Sequence, residues 1–126
     1  MGDELLQIVY VSREASALGS EQLSHIVESS RRNNLRCCVT GLLIRQGQTF
    51  HGVLEGEVSE VLARMEIIIT DRRHRDVRII RESWVSQRRF ENWSFGDLPD
   101  SWAGFSPSYA SEYFIRDFSR RLEHQL

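Results

Sequence analysis

Between residues 6 and 85 the hydrophobic period of the chain switches repeatedly between strand and helix spacing, and the order of those switches constrains the fold more than any other feature. Leu6 to Val11 is a β-branched run that reads as a strand. After a loop from Ser12 to Gly19, Leu23, Ile26 and Val27 recur at helical spacing. Ser20 is placed to cap that helix, and Asn33-Asn34 suits its end. Val39 to Ile44 and Thr49 to Glu55 are apolar strands joined by a turn at Gln46-Gly47-Gln48. On the second of these, Phe50, Gly52 and Leu54 share one face and His51, Val53 and Glu55 the other. From about Glu57 to Asp71 a second helical stripe runs through Val58, Val61, Leu62, Met65, Ile68 and Ile69. Val77 to Val85 is another strand, and Trp93 to Gly96 a short one.

The order β-α-β-β-α-β predicts an α/β (α+β) domain with the ferredoxin-like split βαβ arrangement, both helices on one face of the sheet. The other face then needs a cover. From Pro107 onward a last helix carries Tyr109, Tyr113, Phe114, Ile115, Phe118 and Leu122 and is expected to provide that cap. The domain reading is a core over residues 1–96 with 97–126 as a capping extension of it.

A length of 126 residues suits one domain with its own core. Hydrophobic residues make up 40% and charged residues 27%, an ordinary globular balance without a bilayer-spanning run. The start of the chain lacks the basic region of a signal peptide, so a cytoplasmic location is expected. All 16 basic side chains are Arg, which excludes Schiff-base and Walker lysines. The net charge of -2 makes nucleic acid an improbable partner, although Arg clusters at 31–32, 72–75, 88–89 and 120–121 suit phosphate in principle. Cys37 and Cys38 are adjacent, and no Cys/His spacing indicates a metal site. His25, His51 and His74 read as separate surface histidines. No nucleophile–base set, paired carboxylates, dinucleotide fingerprint or P-loop is present, so no catalytic residue is assigned and the chain is not expected to be an enzyme.

Six segments in order and register resemble one family. They are Ile8-Val9-Tyr10-Val11-Ser12, Ser29-Ser30-Arg31-Arg32-Asn33-Asn34, Val39-Thr40-Gly41-Leu42-Leu43, Val53-Leu54-Glu55-Gly56, Asp71-Arg72-Arg73-His74-Arg75-Asp76-Val77 and Arg88-Arg89-Phe90-Glu91-Asn92-Trp93-Ser94. Together they are similar to the BLUF family, sensors of blue light using FAD. The resemblance implies a flavin between the two helices, a strand-one Tyr that gives an electron and a proton, and a strand-three Gln that relays the proton. It implies a helix-end Asn on the flavin's pyrimidine edge, and a Met or Trp on the last strand that passes the change to the sheet. Carried over, the cofactor-binding positions are Tyr10, Ser30, Asn33, Asn34, Asp71 and Trp93. An amide offers donor and acceptor together, which matches an imide-like ring edge.

Four positions depart from the family pattern. Gly52 stands at the relay Gln, and glycine has no side chain to bridge Tyr10 and a flavin. Ile67 stands where the family commonly has an Arg that reaches the flavin. Cys38 replaces a Gly and Phe95 a frequent Met. The resemblance therefore implies FAD held weakly or not at all, since each buried polar group left unpaired costs about 1–3 kcal/mol. The expected function is a BLUF-type flavin blue-light sensory domain with altered or lost photochemistry, signalling by protein–protein contact. A flavin-free BLUF-fold interaction module is the alternative, and a phosphate- or RNA-binding regulator using the Arg clusters a third class. The expected partner is another protein or a second copy, through the sheet face and the C-terminal helix, with no membrane contact.

Overall fold

The computed structural model describes residues 4–16 and 18–97. Its elements are β1 (Leu5–Glu14), α1 (Ser20–Arg36), β2 (Thr40–Gln46), β3 (Thr49–Gly56), α2 (Val58–Thr70), β4 (His74–Val85) and β5 (Trp93–Asp97). They form the expected mixed α/β arrangement, with one five-stranded sheet in the order β4-β1-β3-β2-β5. Pairing is antiparallel except where β5 runs parallel to β2. The expected C-terminal capping helix lies outside the described residues.

Local chemistry explains the helix boundaries. Gly19, not Ser20, is the N-cap of α1, and Ser20 is the first helical residue. The Gln22 side chain returns to accept from the Gly19 N–H at 3.1 Å, satisfying a donor that the helix leaves open. At the other end α1 runs past Asn33-Asn34 to Arg36, because Asn34 is buried against the fold rather than free to form a turn. The chain then passes through Cys38 at φ 56°, the left-handed region that favours glycine. That geometry is a physical reason for the Gly that the resemblance places there.

The core between sheet and helices is built from Leu6, Ile8, Tyr10, Leu43, Phe50 and Leu54 of the strands, Leu23 of α1, and Val61 and Met65 of α2. The stripe on α2 is narrower than the sequence suggests. Val58 and Ile68 flank the buried pair, whereas Leu62 and Ile69 are 49% and 53% exposed. One helix lying on a sheet buries a single line of side chains, and residues about 100° round the helix from that line reach water.

The outer face of the sheet is also buried, at Val9, Leu42, Ile44 and Val53 and at the polar Gln7, His51 and Glu55. Glu55 is fully buried and acts as an acceptor for three donors. Gln7 Nε2 donates to it at 2.8 Å, the Arg89 N–H at 2.6 Å and the Phe90 N–H at 3.1 Å. Arg88 donates to the Cys38 carbonyl at 2.7 Å, to Thr40 Oγ1 at 2.9 Å and to the Glu55 carbonyl at 3.1 Å. These bonds hold the crossover between β4 at one sheet edge and β5 at the other. They also join three of the matching sequence segments, 39–43, 53–56 and 88–94, for a structural reason.

His51 is not the surface histidine expected, and its burial pushes its pKa down to about 4. It is neutral in the fold, whereas the unfolded chain takes up a proton below about pH 6.5. The domain is therefore expected to lose stability as pH falls from about 6.5, levelling off near 4, by on the order of 3 kcal/mol. Urea unfolding of His51→Gln should show a flatter stability curve between pH 6.5 and 5. An unchanged slope would assign the effect elsewhere, first to His74, whose pKa burial also lowers.

Candidate functional site

The helix-facing side of the sheet and the facing sides of α1 and α2 enclose a narrow groove. A cavity of about 90 Å³ lies there, and its lining includes all six positions expected to contact a cofactor: Tyr10, Ser30, Asn33, Asn34, Asp71 and Trp93. Each is placed by its element. Tyr10 sits in the middle of β1, Ser30 and Asn34 stand one turn apart on α1, Asp71 caps the end of α2, and Trp93 opens β5. Ile67 also lines the groove while remaining 49% exposed.

The sheet register puts three of the family's key positions in one row. Tyr10 pairs with Gly52, Gly52 with Leu43, and Leu43 with Phe95. Gly52 is filled by its neighbour. A Cβ built on it would run into the ring carbons and hydroxyl of Tyr10. The phenol therefore lies over the glycine, in the space a larger side chain at 52 would take. Tyr10 is 4% exposed, and its burial pushes the phenol pKa well above the ordinary range, a shift the nearby Arg64 charge partly offsets. The buried phenol stays protonated across the physiological range.

Cys38 does not line this groove. It faces a larger one of about 580 Å³, shared with Arg31, Leu35 and Arg88, in which Asn34 and Trp93 also take part. The added bulk expected at Cys38 thus falls beside the Tyr10 groove rather than inside it. Phe95 packs against the core.

Four polar lining residues were not among the expected site residues: Ser29, Arg64, Arg73 and His74. Arg73 grips Asp71 through Nε at 3.0 Å and Nη2 at 2.7 Å, and its backbone N–H donates to Asp71 Oδ1 at 2.9 Å. These bonds hold the Asp71 carboxyl below the usual carboxylate range. His74 Nδ1 lies 3.0 Å from Ser12 Oγ, and its ring meets Phe50 at a centroid distance of 5.0 Å. The segment Asp71-Arg72-Arg73-His74 is one of the matching segments, which was the available signal for both. Arg64 had none.

Two polar atoms in the groove stand out. Asn34 Oδ1 and Arg64 Nε are buried and have no hydrogen-bond partner among the described residues. An unmet acceptor and an unmet donor on two residues that line one cleft suit a ligand edge that presents N–H and C=O together. The imide edge of a flavin is such an edge, so the polar set fits that group. The room is less generous, since pockets for ligands of this size run about 300–1,000 Å³. A flavin ring would enter only with Tyr10 or the helices displaced. Asn34, Arg64 and Ser30 are then the side chains to hold it, and the flavin would supply light absorption and electron acceptance.

Comparison with known proteins agrees with this architecture. Residues 5–96 match the family model for BLUF, sensors of blue-light using FAD. No curated protein matches the chain. Among solved structures, the dark-state structure of BlrB, a BLUF protein, is 25% identical with a TM-score of 0.78, and 100% of each chain is covered. A bacterial light-regulated adenylyl cyclase is 27% identical with a TM-score of 0.72, over 95% of this chain but 36% of the cyclase. BlsA in its photo-activated state shares the fold at 19% identity and a TM-score of 0.77, over 94% of each chain. The fold is that of a sensory domain, and the chain belongs to the BLUF family, sensors of blue-light using FAD. The family is one of sensors, and no described helix is long and apolar enough to cross a membrane.

Proposed function

We propose that this domain is a flavin-dependent light sensor whose photochemistry departs from the family pattern and whose output passes through protein–protein contact. The observation that carries the reading is the ring of Tyr10 lying over Gly52. An electron and proton donor is present, but position 52 offers no amide to exchange donor for acceptor. Tyr10, Ser30, Asn33, Asn34, Asp71 and Trp93 form the cofactor site. Ile79, Ile80 and Trp84 of β4 are 43%, 45% and 60% exposed, which suits contact with another protein beside the sheet.

Flavin is expected to be held loosely, because the cavity of about 90 Å³ is small for it. Absorbance of freshly purified protein should show well under one flavin per chain, rising when FAD is added. Stoichiometric FAD that survives dialysis would rule out weak binding. The narrow groove favours one second reading, a flavin-free interaction module. Protein that takes up no flavin even with FAD in excess would establish it.

A further inference from the structure

We infer that Arg64 has taken over the flavin-contacting role of the Arg that Ile67 replaces, with the cation moved one helical turn back along α2. The inference rests on the flavin-binding reading above. Arg64 and Ile67 are three residues apart, so they occupy neighbouring places on the same side of the helix. Both line the Tyr10 groove. Ile67 leaves much of its side chain in water, whereas Arg64 has its Nε buried, with no hydrogen-bond partner among the described residues. A buried guanidinium N–H without an acceptor is costly, and chains rarely keep one without a use. The guanidinium also lies close enough to Tyr10 for its charge to act on the phenol. Arg64 lines the same groove as Tyr10 and Asn34. An acceptor on the flavin ring, rather than a phosphate, is therefore the group it takes.

Flavin-fluorescence quenching by the full chain with riboflavin, FMN and FAD tests this directly. Arg64→Gln and Arg64→Ala should each weaken binding of all three about 10–100-fold, the value of a lost charge-assisted hydrogen bond. The loss should be equal across the series, because riboflavin has no phosphate. Ile67→Arg added to Arg64→Ala should recover affinity, with circular dichroism melts confirming that every variant is folded. Should Arg64→Ala fail to fold, Arg64→Gln and Arg64→Lys carry the same comparison. Unchanged riboflavin binding in the folded Arg64 variants would overturn the inference while leaving the flavin reading intact. A parent protein that binds none of the three flavins would overturn both.

Discussion

Met65→Asp is expected to cost more than about 4 kcal/mol and to leave the domain largely unfolded at 25 °C. Met65 is 3% exposed and belongs to the cluster with Leu6, Ile8, Tyr10 and Val61. The substitution removes apolar burial worth about 1.5–3 kcal/mol and puts an unpaired carboxylate in its place. Small domains have only about 5–15 kcal/mol in total. Leu62→Asp provides the control, because Leu62 is 49% exposed and its change should stay near or below about 1 kcal/mol. Urea midpoints of the two variants and the parent decide the matter. Equal midpoints for Met65→Asp and the parent would show that α2 does not pack through this line.

Blue light is expected to produce no stable, slowly recovering red-shifted state in the flavin-loaded parent; bleaching or ordinary fluorescence should be seen instead. The cause is Gly52, which leaves Tyr10 without an amide partner. Restoring the amide is not a simple addition. Any Cβ at 52 meets the Tyr10 ring, so Gly52→Gln must first drive the phenol away from the sheet. Overpacking of this kind costs about 1–3 kcal/mol, and the variant should melt below the parent. If the displaced ring turns toward the groove, it narrows the cavity further, and Gly52→Gln should hold flavin less well than the parent, with Ile67→Arg adding a second donor to offset the loss. Difference spectra after illumination of flavin-loaded parent, Gly52→Gln and Gly52→Gln/Ile67→Arg test the sequence of effects. A reversible red shift in the parent would show that Tyr10 works without the amide, and the mechanistic reading would fall.

Much of the architecture was legible in local pattern. The alternation of Phe50, Gly52 and Leu54 against His51, Val53 and Glu55 is the alternation found on β3, with the first set toward the helices. The two helical stripes located α1 and α2 to within a few residues, and the six matching segments placed Tyr10, Ser30, Asn33, Asn34, Asp71 and Trp93 together. Period and spacing are local properties, written in consecutive residues, so they survive without knowledge of the fold.

What only the tertiary structure decided has a common cause: it depends on which surfaces meet across long separations in the chain. Leu62 and Ile69 look like core by spacing, yet water reaches them because the sheet touches one line of α2. His51 looks like a surface residue, yet burial on the outer face holds it neutral. Glu55 gives no hint of its partners, since Arg89 and Phe90 lie 34 and 35 residues away. Gly52 could be read as a missing side chain, but only the β1–β3 register shows that Tyr10 occupies its place. Arg64 sits among ordinary helix residues in the sequence, and its meaning comes from the cleft that α1, α2 and the sheet close around it. Residue order determined the elements and the chemistry available to them; the packing of distant elements decided which groups lost their water, and with it which of them can serve a ligand.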